Sequence, residues 1–279
     1  MSASDLLPRS LKEKVRVKNI LLHVQDDPGM GARFQTALSL ARDQDGHLTC
    51  LQVTPTPYFP ADGPVSPETF NLFVDSVEVP ARELRAALEA RLNSDMVSWD
   101  WRTRNGNSAI EILREALLAD VIVAATGDEA PDISTVGALV VHGHVPILAV
   151  PVTASQFDPG DPIMIAWNGT AESANSVRHS LAMMRAAASV HIVTIAEERL
   201  DFPPTDVAAY LSRHGIHAEI HERPAEPSVA EALTASAREL GVSCIVMGGY
   251  GHSRYRERMF GGVTRTLLLD CPIPLLLSH

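Results

Sequence analysis

The chain has 279 residues, of which 46% are hydrophobic and 20% charged, and its formal net charge is -11. This length allows two globular domains, and the acidic balance argues against non-specific nucleic-acid binding, which requires a basic face. Each apolar run is shorter than the about 20 residues needed to span a bilayer, so we expect neither a membrane nor a nucleic acid as partner.

The cysteines and lysines indicate the cellular compartment and exclude two classes of nucleotide-binding enzyme. The three cysteines form an odd set without CxxC spacing, and no apolar signal-peptide core follows the basic residues of the first segment, so we expect a cytoplasmic protein. The lysines all lie within the first 18 residues. A P-loop NTPase needs a lysine in its glycine loop and a kinase needs one on a strand, so both classes are excluded.

The first half of the chain alternates apolar strands with amphipathic helices after an N-terminal arm at residues 1–16. Strands are predicted at Asn19–Val24, His47–Val53, Val97–Arg102, Val121–Ala124 and Val145–Val150. Helices are predicted around Phe34 to Ala41, at Val79–Leu92, and from a capping box at Ser108 and Glu111 to Leu118. The proline-rich residues 54–77 are interpreted as an irregular insertion that covers one face.

The same order then repeats after a linker at 152–161. Strands are predicted at Ile163–Trp167, His191–Ile195, Val242–Val246 and Leu275–Leu277, and helices at Glu172–Arg185, from a capping box at Ser228 and Glu231, and at Val263–Leu269. Short apolar strands that alternate with helices imply parallel sheets covered on both faces. We therefore expect domains at 17–151 and 162–279.

The segment Met247–Leu268 has the composition of a phosphate-binding loop. Its glycines are Gly248, Gly249, Gly251, Gly261 and Gly262, and its basic residues are Arg254, Arg256, Arg258 and Arg265. A strand, a glycine loop and a helix N-terminus together offer free backbone amides to an anion. The alternatives are a simple turn for the glycines and a solvated surface for the arginines.

The glycine spacing resembles the nucleotide loop of the universal stress protein family, G-x-x-G-x9-G-(S/T). Here Gly248-x-x-Gly251 is followed by nine residues and Gly261. The resemblance covers nearly the whole chain and implies an α/β fold of two tandem, open, doubly wound parallel sheets with strand order 3-2-1-4-5. It implies ATP or a related adenine nucleotide as ligand, with Mg²⁺, in the crevice between strands 1 and 4 of the second half.

Matching the family pattern position by position gives a set of candidate nucleotide-binding residues: Ala166, Trp167, Asn168, Ile195, Met247, Gly248, Gly251, His252, Ser253, Gly261, Gly262, Val263 and Thr264. Two of them depart from the family's ATP-binding members, since Gly262 replaces a Ser or Thr and Asn168 replaces an aspartate. A helix cap is an equally good role for Asn168. Ile195 borders adenine in the family and is otherwise a core residue.

The first half has lost this loop. The segment from Ile122 to Pro146 is five residues shorter than the segment from Ile245 to Pro274, and what remains carries Asp128, Glu129 and Asp132. Carboxylates repel phosphate, so we expect one nucleotide site per chain. Family domains pair through their final strands, so we also expect antiparallel pairing of the two halves as an intramolecular pseudo-dimer, with a homodimer of chains as a further option.

The sequence presents neither a catalytic constellation nor a metal-ligand spacing. The pairs His142/His144 and His214/His217 lack a third ligand, and His252 beside Ser253 lacks a nucleophile elbow, so no metal or catalytic site is predicted. Three hypotheses stay open: a nucleotide-dependent stress sensor or protector with little turnover, an interaction module with unknown protein partners that binds no nucleotide, and a slow ATPase.

Overall fold

The computed structural model describes residues 16–55, 66–126, 135–154, 157–195, 200, 202–250 and 262–279. Within these ranges the strands are Asn19–Val24 (β1), His47–Thr54 (β2), Ser98–Asn105 (β3), Val121–Ala125 (β4), Ile147–Val150 (β5), Ile163–Ala166 (β6), Val190–Ile195 (β7), Ala218–Arg223 (β8), Cys244–Gly248 (β9) and Leu275–Ser278 (β10). The helices are Met30–Gln44 (α1), Pro67–Asn93 (α2), Ser108–Glu115 (α3), Thr135–His142 (α4), Ala171–His179 (α5), Leu181–Met184 (α6), Pro204–Arg213 (α7), Val229–Glu239 (α8) and Gly262–Asp270 (α9).

The strands form one continuous sheet of ten strands in the order β3-β2-β1-β4-β5-β10-β9-β6-β7-β8. Read from either edge toward the centre, each half has the order 3-2-1-4-5, as predicted. Pairing within each half is parallel, because every return to the sheet passes through a helical crossover.

The two halves join through their final strands. β5 and β10 pair antiparallel, with Leu276 opposite Leu148, so the pairing expected from the sequence is confirmed. Both strands are fully buried, and the junction removes two apolar edges that would otherwise be open to aggregation.

The core consists of two apolar layers, one on each face of the sheet. Side chains alternate along each strand, so Ile163 and Ile165 face one layer while Met164 and Ala166 face the other. The first layer contains side chains from α1, α2, α5, α6 and α7, and the second contains those from α3, α4, α8 and α9. Across the described residues, none of the helices is both long and apolar enough to cross a membrane.

Three sequence predictions about helices are wrong. Residues 67–77 belong to α2, because Pro67 stands at the first helical position, where a missing N–H costs nothing. Asn107 caps α3 and accepts a hydrogen bond from the Ile110 amide, so Ser108 is not the cap. The helix expected at Glu172–Arg185 breaks at Ser180, whose hydroxyl donates to the Ser176 carbonyl at 2.7 Å.

Candidate nucleotide site in the second half

The carboxyl ends of β6, β7 and β9 meet at one edge of the sheet and define the second-half crevice, bounded by Ala166, Ile195 and Gly248. β6 lies between its two neighbours, with Ala166 opposite both Val193 and Met247. The chain leaves β6 toward β7 on one side and returns through β9 on the other. Such a switch in strand order leaves a crevice between the outgoing loops, which is where doubly wound sheets bind ligands.

The crevice floor is apolar on the face that carries α8 and α9. Ala166, Met247 and Ile195 contribute to the same core layer, and Ile195 is only half-buried at its end of β7. The Trp167 side chain belongs to the other layer, where its Nε1 donates to the Phe202 carbonyl at 2.9 Å. The structure therefore brings three of the predicted residues together and separates the indole from them.

The turn between β6 and α5 shows how Asn168 is used. Thr170 is the N-cap of α5 and accepts from the Ser173 amide, so the helix-cap role considered for Asn168 belongs to Thr170. The Asn168 side chain is exposed, and its Oδ1 accepts from the Thr170 hydroxyl at 3.0 Å. Asn168 therefore braces the capping residue.

The glycines at the end of β9 allow close packing. A Cβ on Gly248 would lie 2.6 Å from the Ser173 amide nitrogen, so only glycine lets α5 approach β9 at this position. A Cβ on Gly249 would lie 2.5 Å from Cγ1 of Val140, in the α4 helix of the other half. From the sequence, these glycines were assigned to anion binding, with a simple turn as the alternative, and neither packing contact was predicted.

Helix α9 lies in the chain between the parallel strands β9 and β10, so its N-terminus is at the end of the sheet that holds the crevice, and it is suited to an anion. Its first residues are Gly262, Val263 and Thr264, and its first turn carries no acidic residue. The amides of a first helical turn have no partner within the helix, and the helix dipole adds partial positive charge there. Thr264 is buried, whereas Gly262 is exposed, and no described atom lies within 4 Å of the position of a Cβ on Gly262. Gly251, His252, Ser253, Gly261 and the arginines at 254, 256 and 258 lie outside the described residues.

The carboxyl ends of β1, β2 and β4 form the corresponding crevice of the first half, called the first-half crevice, and its electrostatics differ. A cavity of about 680 Å³ lies there, lined among others by His23, Asp26 and Asp27. The fully buried Arg33 donates through both Nη atoms to the Asp27 carboxylate at 2.8 Å. The predicted acidic residues Asp128, Glu129 and Asp132 lie outside the described residues.

The structure also groups three potential metal ligands that the sequence analysis missed, namely His191, Glu219 and His221. The histidine pairs noted in the sequence are close together along the chain, whereas these three residues are brought together by the pairing of β7 with β8. The alternation Glu219-x-His221 on an edge strand was the available signal.

Comparison with solved structures identifies the fold. A universal stress protein from Archaeoglobus fulgidus superposes with a TM-score of 0.73 at 13% identity, over 95% of this chain and 97% of that chain. A putative universal stress protein from Pseudomonas aeruginosa gives 0.57 at 16% identity, over 94% and 93% of the two chains. A functionally unknown protein from Pseudomonas aeruginosa PAO1 gives 0.56 at 15% identity, over 94% and 92%.

No protein-family model matches the sequence, and no curated protein matches it either. The structural likeness extends over nearly the full length of both chains at low identity, which is evidence about the fold. The resemblance noted in the glycine loop is therefore confirmed at the level of the fold: the chain has the universal stress protein fold in two tandem copies.

Proposed function

We propose that the protein is a tandem universal stress protein that binds ATP or a related adenine nucleotide in its second half. The observation that carries this proposal is the N-terminus of α9, which has no acidic residue in its first turn and follows the strand end of the second-half crevice. A phosphate group suits such a helix start, because free amides and the helix dipole both favour negative charge.

The candidate residues divide between the two ends of the ligand. The amides of Gly262, Val263 and Thr264 would bind phosphate oxygens. Ala166, Ile195 and Met247 offer an apolar surface to the adenine ring. Mg²⁺ would be held chiefly by the phosphates, because Asn168 lacks the charge of an aspartate and its Oδ1 already accepts from Thr170.

The proposed role is that of a cytoplasmic stress-response sensor or protector with little turnover. Nucleotide binding in one half would bias the conformation that protein partners recognise, without chemistry. An interaction module that binds no nucleotide is the second candidate, and the specific observation in its favour is the pair of departures at Gly262 and Asn168. A slow ATPase is the third, and a homodimer of chains stays a prediction.

Substitutions of Gly262 test the nucleotide site without disturbing the fold. Gly262→Asp places a carboxylate at the start of α9, where it stabilises the helix yet repels phosphate. We expect ATP at 100 times its Kd to stabilise the wild type by about 2.7 kcal/mol, and the melting shift of several degrees to disappear in Gly262→Asp.

Gly262→Ser is the matched control, since it adds a small side chain at the same open position together with the hydroxyl of the family pattern. It should bind ATP as well as the wild type or a few-fold more tightly, by one hydrogen bond worth about 1 kcal/mol. If millimolar ATP leaves the wild-type melting curve unchanged, the interaction module replaces the nucleotide proposal.

A further inference from the structure

Three metal-ligating side chains converge on the outer strands of the second half. His191 on β7 lies beside Glu219 on the edge strand β8, and His221 is two residues further along β8 on the same face. Nδ1 of His191 is 3.1 Å from Nε2 of His221, and the Glu219 Oε2 atom lies 3.6 Å and 3.8 Å from these two nitrogens. This arrangement is called the His2Glu cluster below.

The three separations match those of ligands that share a tetrahedral metal ion. Zinc binds histidine nitrogen at about 2.0–2.1 Å and carboxylate oxygen at about 2.0–2.2 Å, so neighbouring ligand atoms on a tetrahedron lie roughly 3.3–3.5 Å apart. The cluster therefore needs only shifts of a few tenths of an ångström. Two imidazoles with one carboxylate form a ligand set that suits zinc, whereas magnesium and calcium prefer oxygen ligands alone.

The surroundings of His191 hold its ring in the orientation that a ligand needs. Its other nitrogen, Nε2, lies 2.8 Å from the Ser189 hydroxyl, which leaves Nδ1 facing the cluster. Histidines that bind metals are commonly held in this way by a hydrogen bond at the second ring nitrogen.

The first half offers an internal comparison at the same positions. Ile20 pairs with Leu48 in the first half as Ile163 pairs with Val190 in the second. The next residue along the second strand is Thr49 in one half and His191 in the other. Their partners on the third strand are Asp100 and Glu219, which therefore correspond.

In the first half, a permanently charged arginine pairs with the acidic residue at the position of Glu219. The Arg102 guanidinium donates to Asp100 at 3.0 Å and to Glu115 at 2.8 Å. In the second half His221 stands in the place of Arg102, and among the described residues no lysine or arginine pairs with Glu219. A bound divalent cation would supply the positive charge that the arginine supplies in the first half.

We propose that His191, Glu219 and His221 form a binding site for a divalent transition-metal ion, with zinc as the best match. The Glu219 side chain is 72% exposed, so the fourth coordination position faces solvent and would hold water. The site fastens the edge strand β8 to β7. It lies four residues from Ile195 along β7, roughly 13 Å at 3.3 Å per residue, and is therefore separate from the second-half crevice.

Zinc titration of the untagged, metal-free full-length chain by calorimetry tests this site. We expect saturable binding of one zinc ion per chain. The double variant His191→Thr, His221→Arg introduces the residue types found at the corresponding first-half positions. Its zinc affinity should fall by at least about 10–100-fold, and so should that of Glu219→Gln. Loss of a residue that only orients a metal ligand already costs about that much affinity. Ser189→Ala should weaken binding within the same range.

His142→Ala, His144→Ala is the matched control, because it removes an exposed histidine pair elsewhere and should leave zinc binding unchanged. Circular dichroism and the zinc-free melting temperature establish that each variant is folded, and Glu219→Gln changes only an exposed side chain. The absence of saturable zinc binding in the wild type would overturn the proposal. Wild-type affinity in both the double variant and Glu219→Gln would overturn it equally.

Discussion

At the scale of single residues, the buried Arg33 sets the electrostatics of the first-half crevice. Its guanidinium is fully buried and paired with Asp27, and it lies close to His23 at the end of β1. Burial, with a further contribution from Arg33, lowers the pKa of His23 to about 4. By strand register His23 occupies the place that Ala166 has in the second half. The first-half crevice is therefore lined by the His23 imidazole and by Asp27, whose partner is the buried Arg33. In the second half, the position of His23 is taken by the methyl group of Ala166.

His23 predicts a specific loss of stability in acid. Above its unfolded pKa of about 6.5 the ring is neutral in both states, but between pH 6.5 and pH 4 only the unfolded chain takes up the proton. The free energy of unfolding should therefore fall by up to about 3 kcal/mol through this group as the pH drops across that window. Urea denaturation at a series of pH values measures it.

His23→Asn removes this titration and should flatten the pH dependence, while the exposed His144→Asn should keep the wild-type slope. Equal slopes for His23→Asn and the wild type would show that the buried imidazole is not what responds to acid.

Residue roles were only partly predictable from the sequence. The composition of the Trp167 to Thr170 turn indicated a capped helix start, but which side chain caps it depends on backbone angles that composition does not determine. Gly248 illustrates the same limit, because the need for glycine comes from Ser173, which is 75 positions earlier in the chain. A glycine required for packing and a glycine required by a ligand have the same appearance in a sequence.

At the scale of elements, the contact between β9 and α4 connects the two halves beyond the strand junction. Gly249 follows β9, its amide donates to the Ser278 carbonyl at 2.8 Å, and its α-carbon faces the buried Val140. Because the Val140 side chain already fills the space beside the Gly249 α-carbon, the end of β9 and helix α4 pack at a fixed separation.

The contact between Gly249 and Val140 can be tested by asking whether a smaller residue at 140 restores the stability lost when a side chain is added at 249. Gly249→Ala should lower the free energy of unfolding by about 1–3 kcal/mol, since its Cβ would overlap Cγ1 of Val140. Val140→Ala opens a cavity and is destabilising alone, but in the double variant the added methyl fills that cavity. The double variant should therefore be more stable than the sum of the two single effects by about 0.5–3 kcal/mol, measured by chemical denaturation.

Gly31→Ala is the control for this series, because no described atom would meet its Cβ within 4 Å and alanine favours the helix. Strictly additive effects of Gly249→Ala and Val140→Ala would contradict the packing account.

Strands were more predictable than helices. The strands predicted at Asn19–Val24 and His47–Val53 are observed at Asn19–Val24 and His47–Thr54, because their clustered apolar and β-branched residues are typical of strands inside a parallel sheet. The first turns of α2 were mistaken for a loop because Pro64 and Pro67 suggested irregular chain, although proline is favoured at a helix start. The His2Glu cluster was missed, because the alternation Glu219-x-His221 does not by itself show that the β7–β8 register places His191 beside it.

At the scale of the whole molecule, the internal repeat explains both the symmetry of the sheet and the asymmetry of its sites. Each half supplies five strands in the same order, and the antiparallel junction of β5 with β10 relates the halves. The repeat was readable from the recurrence of apolar strands, which determines the order of elements. The differences lie at strand ends and in the segments that follow them: His23 and Asp27 line one crevice, whereas Ala166 and the start of α9 at Gly262 belong to the other.

The number of ATP molecules bound per chain, measured by isothermal titration calorimetry, tests the proposed nucleotide site in the second half. We expect one site per chain, because the helix N-terminus at the second-half crevice has no carboxylate in its first turn, whereas the first-half crevice carries Asp26 and Asp27. Gly262→Asp should remove that site. Two sites per chain, or one site that survives Gly262→Asp unchanged, would contradict the account.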